Sequence, residues 1–198
     1  MEQQQIQDTV EHIFSLYEAY GAQEYGERVS MLMHMMQCAQ LAQSAGEDDE
    51  IVLAAFFHDI GHFFEDEEKM GIYGTQSHDD LGGKCLMDMG FPHSMARLVS
   101  SHVIAKKYLV YVEPAYYNEL SEASKKTLEF QGGKMTPEEA AEFEKDPLAP
   151  IYVKIRKWDD LGKDADKPVF AADVQQMKDM TYQYLLKLQA ETTRSTSQ

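Results

Sequence analysis

Four histidines and two aspartates follow one another along this chain as His34, His58-Asp59, His78, His102 and Asp159. Each of these side chains can bind a divalent metal. Imidazole suits iron, zinc, nickel and copper, whereas carboxylate suits iron, manganese and magnesium, so the mixture points to redox or hydrolytic metal chemistry. Six protein ligands are too many for one open catalytic site. They are about right for two ions bridged by a carboxylate, with positions left for substrate.

The His-Asp dipeptide alone says little, because a second one occurs at His78-Asp79. The setting of the first says more. Residues 51–57 form the apolar run Ile-Val-Leu-Ala-Ala-Phe-Phe, which ends in His58-Asp59-Ile60-Gly61-His62. Two ionisable groups at the end of a helix buried on all sides are costly unless they are paired or metal-bound. A hydrogen-bonded core pair is the alternative to a metal.

The elements that must position these residues read as helices. Residues 6–20 carry Ile6, Val10, Ile13, Phe14 and Tyr17 on one stripe, and 27–44 place Met31, His34, Cys38 and Leu41 on one face. Gly46 predicts the stop of that helix, and Asp48 or Asp49 the cap of the next. The acidic, glycine-containing segment 65–77 reads as a loop. Ser77 would cap a helix from His78 to Met89 that stops at Gly90, and Pro92 would start one that carries His102 near its end. Residues 121–130 are helical and are broken by Gln131-Gly132-Gly133. Thr136-Pro137-Glu138-Glu139 is a helix start, since Thr136 can cap and Pro137 suits the first turn. Asp146-Pro147 and Pro150 separate that helix from 151–160, which carries Asp159. A last amphipathic helix spans about 171–190, followed by a polar tail, 191–198, expected to be mobile. No alternating strand pattern and no internal repeat appears, so the expected fold is all-α, a helical bundle in one domain with its core over about 24–165.

Composition narrows the function classes. The net charge of −16, from 34 acidic and 18 basic residues, repels nucleic-acid backbones and disfavours a nucleic-acid binder. The opening MEQQQIQDTV is polar and predicts no secretory signal, and no stretch is apolar enough to span a bilayer. Cys38 and Cys85 lie far apart and read as small buried side chains, which suggests a reducing, cytoplasmic setting. The expected oligomeric state is a monomer.

The order His34, His58-Asp59, His102, Asp159 resembles the HD-domain superfamily, helical proteins that bind metals in their core, and His78 with His102 resembles its two-metal members. HDIGH at 58–62, HVIAKKYLV at 102–110, SEASKKTLEFQGG at 121–133 and KIRKWDDLGK at 154–163 are similar to the phosphonate-degrading HD-domain oxygenases. The similarity runs in consistent order over residues 24–165. It implies a mixed-valent Fe(II)/Fe(III) pair bridged by Asp59, with His34, His58 and Asp159 on one iron and His78 and His102 on the other. Asp159 is preferred to Asp160 because the family stretch reads Arg-x-Trp-Asp, here Arg156-Lys157-Trp158-Asp159; Asp160 would be an exposed helix end.

The resemblance also implies a phosphonate pocket at His62, Lys106, Ser124, Thr127, Gln131 and Arg156. Phosphonate is a tetrahedral anion whose oxygens want charge-assisted donors, which Lys and Arg supply. For Lys106 and Arg156 taken singly, solvated surface is the competing reading. Tyr108 and Tyr111 read as packing residues. The implied reaction uses O2 to remove hydrogen from a hydroxylated carbon next to phosphorus, after which the C–P bond breaks to phosphate and a carboxylic acid. The acid is glycine if the far end is an ammonium and glycine betaine if it is trimethylated, and an upstream hydroxylase would install the hydroxyl.

The chain departs from the family at one place. The amino-substrate enzymes carry a tyrosine three residues before a glutamate that responds to substrate. Glu27 matches the glutamate, but the earlier position is Glu24, with Tyr25 beside it. Glu24, Tyr25 and the methionines Met31, Met33, Met35 and Met36 would suit a larger cation, or the methionines simply fill the core. Amine and trimethylammonium both stay open. The rival enzyme is an HD-domain metal-dependent phosphohydrolase, whose metals activate water against a phosphate ester. A degenerate HD domain that binds a ligand without catalysis is a third reading, against which the complete set of six ligands argues.

Overall fold

The computed structural model describes residues 2–24, 28–64 and 78–196, and among them only helices, turns and coil occur. Its helices are α1 (Gln3–Tyr20), α2 (Met31–Ser44), α3 (Asp49–Phe57), α4 (His78–Asp88), α5 (His93–Val99), α6 (Ser101–Val112), α7 (Tyr116–Glu119), α8 (Glu122–Phe130), α9 (Pro137–Phe143), α10 (Ala149–Leu161) and α11 (Ala171–Thr196), with a 3-10 turn at Ile60–Phe63 after α3. The all-α architecture expected from the sequence is therefore present. The expected loop at 65–77 and the Ser77 cap lie outside the described residues. None of the described helices is long and apolar enough to cross a membrane.

α3 is the centre of the packing. Its residues Val52 to Phe57 are all buried, and α2, α5, α10 and α11 pack around it. Asp48 caps it, accepting from the Ile51 N–H at 3.0 Å, which satisfies one of the donors a helix start leaves unpaired. α1 is clamped onto it by aromatic rings. Tyr17 stacks on Phe56 at 4.7 Å, meets Phe63 edge-on at 5.0 Å and donates its hydroxyl to the Phe56 carbonyl. The C-terminus of α3, which carries His58 and Asp59, is thus held from outside the site.

Close approach sets the next step. A Cβ at Gly61 would lie 1.8 Å from the His78 carbonyl oxygen and 2.9 Å from the Gly82 nitrogen. Only glycine lets the 3-10 turn sit directly on the first turn of α4, and that contact brings His78 beside Asp59. α6 and α10 pack against each other on the opposite side, and α10 also packs on α2. A smaller apolar cluster of Leu109, Val110, Tyr116, Leu120 and Leu128 holds α8 under α6.

Several boundaries differ from the expectation. The helix begun after Pro92 ends at Val99, and His102 falls in the first turn of α6 rather than near the end of a longer helix. The break falls at Ser100, whose N–H still bonds to the Ala96 carbonyl while its hydroxyl donates to the Asp79 carbonyl of α4. Pro150 sits in the first turn of α10, where its missing N–H costs nothing. The short α7 carried no sequence signal. The segment expected as a mobile tail is helical to Thr196, and the hydroxyls of Thr192 and Thr193 bond back to the Leu188 and Gln189 carbonyls, both at 2.9 Å. Back-bonding of this kind gives each hydroxyl a partner within its own helix. The capping box at Thr136 and Glu139 is present, and Gly46 and Gly90 end α2 and α4 at positive φ.

Candidate metal centre

All six side chains singled out as ligands converge on one buried point, with Asp59 in the middle. Its Oδ2 lies 3.5 Å from His34 Nε2 and 3.3 Å from His58 Nε2. Its Oδ1 lies 3.4 Å from His78 Nε2 and 3.3 Å from His102 Nε2. One carboxylate thus presents each of its oxygens to a separate pair of imidazoles. Asp159 Oδ1 joins the first pair, 3.4 Å from His34 Nε2.

The orientation of the rings says what the pairs can hold. His34 Nδ1 is 2.9 Å from the Gly162 carbonyl, His58 Nδ1 is 2.8 Å from Ala55 O, and His102 Nδ1 is 3.1 Å from Val99 O. Each acceptor lies at a helix C-terminus, where backbone carbonyls lack an intrahelical partner. A carbonyl accepts only, so each Nδ1 carries a proton, which in a neutral ring leaves the Nε2 lone pair turned inward. His34 Nε2 and His58 Nε2 face each other at 3.2 Å; burial opposes the charge, but Cys38, Asp159 and Asp59 push the His34 imidazole well above its ordinary value, so a proton competes with a metal for this gap. His78 Nε2 and His102 Nε2 approach to 2.8 Å. Buried imidazole nitrogens this close need a proton or a metal cation between them, and the donor set of imidazole nitrogens and carboxylate oxygens fits two divalent ions.

Electrostatics keeps the carboxylates ionised. Burial would raise the Asp59 carboxyl, but His58, His34 and His78 around it hold it well below the usual carboxylate range. Burial opposes ionisation of Asp159 too, and is outweighed first by Arg156 and then by His34 and Lys163. His102 and His62 are pushed well below the ordinary imidazole value, chiefly by burial. Neutral imidazole is the form that binds metal.

A cavity of about 610 Å³, counted with its open mouth, adjoins the cluster. His62, stacked on His78 at 3.9 Å, lines it together with Lys106, Ser124, Thr127, Gln131 and Arg156, so the whole expected anion pocket is brought to one place. Neither basic residue is solvated surface: Lys106 is 3% exposed and Arg156 2%. Lys106 donates to Thr127 Oγ1 at 2.8 Å, and Thr127 in turn to the Ser124 carbonyl. The Gln131 Oε1 atom is buried without a hydrogen-bond partner. His78 lines the cavity and Asp79, the other half of the second dipeptide, does not. Glu24 is exposed and away from the lining, while Tyr25 and Glu27 lie outside the described residues. Met31 lines the cavity, whereas Met35 and Met36 are buried in the core. Tyr108 packs on Phe143, as a packing residue should.

Arg156 is more committed than its sequence context suggests. Its Nε donates to the Tyr116 hydroxyl at 2.9 Å, Nη1 to Asp159 Oδ2, and Nη2 to Asp160 Oδ1. It therefore fixes one oxygen of Asp159 and leaves the other for the metal point. Asp160, expected as an exposed helix end, is instead tied to Arg156 and the Tyr116 hydroxyl. Replacing Arg156 by methionine leaves two carboxylates without their guanidinium. The expected loss is about 3–5 kcal/mol of stability in denaturant melts at neutral pH, as for other broken buried ion pairs.

Sequence reasoning did not single out Tyr116, Lys163 or the residues around Gly162. Lys163 lines the cavity, with Nζ 3.4 Å from Ser124 Oγ and 4.0 Å from Asp159 Oδ1. Its spacing of four from Asp159 was the available signal. Cys38 lies buried behind His34, with Sγ 4.0 Å from Nδ1 rather than on the Nε2 side.

A helical core with this His and Asp constellation defines an HD domain, and the HD-domain family model matches residues 31–141. The [1-hydroxy-2-(trimethylamino)ethyl]phosphonate dioxygenase (glycine-betaine-forming) of Leisingera caerulea is 40% identical over 178 residues, 86% of this chain and 90% of the relative. The hydroxymethylphosphonate dioxygenase of Gimesia maris is 37% identical over 159 residues, 79% of each chain. An uncharacterised protein of Acanthamoeba polyphaga mimivirus is 42% identical over 174 residues, 86% of this chain and 80% of that one. The chain belongs to the HD-domain family of phosphonate-degrading oxygenases.

Proposed function

We propose that the chain is a di-iron oxygenase that cleaves the C–P bond of a 1-hydroxyphosphonate, either 1-hydroxy-2-(trimethylammonio)ethylphosphonate or its primary-amine analogue. The products are phosphate and glycine betaine or glycine. One O2 and the substrate together supply every atom of the carboxylic acid and the phosphate. The observation that carries the reading is the placement of Asp59 between two imidazole pairs, with a wall of oxyanion donors on the same cavity. Both named relatives have substrates whose phosphonate-bearing carbon also carries a hydroxyl.

His34, His58 and Asp159 would hold one iron and His78 and His102 the other, with the Asp59 carboxylate shared between the two sites. The iron pair, one ferrous and one ferric, supplies the one-electron chemistry with O2 that no side chain offers. The rest falls to the protein. Lys106, Ser124, Thr127, Gln131 and Lys163 bind the phosphonate oxygens, and Arg156 holds Asp159 in register while its charge faces the same cavity. His62, neutral and stacked on His78, donates to the phosphonate and fixes the C1–H within reach of the metals. Val29, Met31, Val103 and Ala123 line the remaining wall and exclude water from the reacting carbon. Glu24, Tyr25 and Glu27 are the sequence candidates for the cationic end; Glu24 is exposed outside the cavity lining, and the other two lie outside the described residues. A separate hydroxylation reaction must supply the C1 hydroxyl.

The test is O2 uptake with the trimethylammonio, amino and hydroxymethyl phosphonates in parallel, scored for phosphate and the matching acid, with nucleotide and sugar phosphates as controls. Stoichiometric O2 use with one of the ethylphosphonates supports the proposal. Phosphate released from an ester without O2 uptake moves the assignment to a metal-dependent phosphohydrolase.

A further inference from the structure

The turn that follows α10 joins the metal centre to the anion cavity, and one buried amide holds it in place. Gln37, 4% exposed, lies one turn beyond His34 on α2. Its Nε2 donates to the Asp164 carbonyl at 2.8 Å and the Lys167 carbonyl at 3.3 Å, and its Oε1 accepts from the Asp164 N–H at 3.0 Å. All three bonds go to backbone, so they fix the path of residues 164–167 whatever their side chains. Immediately before them stand Gly162, whose carbonyl takes the His34 Nδ1 proton, and Lys163, whose ammonium reaches Ser124.

The turn also lies flat on α2. A Cβ at Gly162 would be 2.6 Å from Cys38 Sγ, 3.1 Å from the Trp158 carbonyl and 3.2 Å from the His34 carbonyl. Gly162 can meet His34 only because it has no side chain. The ring of His34 faces Asp59 and Asp159 with Nε2 while its other edge rests on this turn.

We infer that Gln37 is a positioning residue for the metal centre: by pinning the 162–167 turn onto α2 it keeps the Gly162 carbonyl on His34 Nδ1, and so keeps the His34 Nε2 lone pair on the metal. Without that carbonyl, Nδ1 keeps Cys38 Sγ at 4.0 Å as a weak partner, and the proton can move to Nε2, the tautomer that cannot ligate there. The partner of a ligating histidine is typically worth about 10–100-fold in metal affinity. The inference rests on the two-ion centre proposed above and not on its substrate.

Metal-free protein titrated anaerobically with iron(II), and in parallel with manganese(II), tests it. The wild type and Cys38→Ala bind two ions. Gln37→Leu keeps one ion at wild-type affinity and binds the second about 10–100-fold more weakly. Gly162→Ala does the same, and Gly162→Ala/Cys38→Ala recovers at most part of the affinity, because the sulfur is gone while the methyl still presses on the Trp158 and His34 carbonyls at 3.1 and 3.2 Å. Two ions at wild-type affinity in Gln37→Leu overturns the inference. So does loss of both ions in step with the folded fraction by circular dichroism. Should the oxygenase reading be what fails, the wild type takes up no O2, yet the same pattern of affinities appears with manganese.

Discussion

Asp59→Asn binds at most one metal ion per chain, and its O2-dependent turnover falls at least about a thousandfold, equivalent to about 4 kcal/mol of transition-state stabilisation. The side chain keeps its size, so the loss is chemical. Asp59 offers a lone pair from Oδ2 toward His34 and His58 and another from Oδ1 toward His78 and His102. In either amide orientation, asparagine presents an NH2 group to one of those pairs. Its hydrogens satisfy the inward lone pairs of the imidazoles, and a cation is excluded from that side. The remaining ion also loses the negative charge that balances it. Metal analysis and O2 uptake on the same preparation check this, with the metal-free melting temperature showing that the fold survives. Two ions per chain and turnover within tenfold of wild type would refute the bridging role.

Lys106→Met is expected to weaken substrate binding about 10–100-fold while making the metal-free protein more stable. Burial, and after it the Arg156 guanidinium, pushes the Lys106 pKa down from 10.5 to about 7. In the unfolded chain the ammonium keeps its proton to about 10.5. Below pH 7 both states are protonated and the full penalty of burying the charge applies. Between pH 7 and 10.5 the unfolded chain holds the extra proton, so stability rises with pH; above that window the penalty is gone. Methionine removes the penalty, so its stability advantage is largest below pH 7 and shrinks toward pH 10.5.

Substrate binding has the opposite sign. A phosphonate oxygen favours the protonated amine, and a hydrogen bond to a charged group contributes about 1.5–3 kcal/mol. Wild-type KM therefore rises as pH climbs above about 7, as the cation is lost. The variant starts with a high KM and lacks that limb. A KM–pH profile from 6 to 9, beside melts over the same range, separates the two effects. Identical profiles for wild type and variant would remove Lys106 from the anion site.

The chemistry of this chain was more legible than its geometry. The convergence of His34, His58, Asp59, His78, His102 and Asp159 was readable because a buried helix ending in His-Asp demands a partner, and because the surrounding stretches resemble a two-metal family, which favoured Asp159 over Asp160. The helices carrying them were readable from apolar spacing and from caps such as Asp48 and Thr136. Contacts between distant segments were not readable. Neither the break at Ser100, whose hydroxyl bonds to α4, nor the helical run to Thr196 carried a local signal. Arg156 looked like a plain anion donor, yet it holds Asp159, Asp160 and the Tyr116 hydroxyl, because α7 and α10 meet in the fold. Gln37 and Gly162 had no local signature, since their roles arise only where α2 and the turn after α10 touch.

The central claim is a carboxylate-bridged pair of irons whose environment changes when a hydroxyphosphonate arrives. The most direct measurement is iron content per chain in anaerobically purified protein, followed by electron paramagnetic resonance after partial oxidation, with and without each 1-hydroxyethylphosphonate. Two irons per chain and a mixed-valent signal perturbed by one of the two compounds is the predicted result. One iron or none, or a mixed-valent signal indifferent to both compounds, would contradict it.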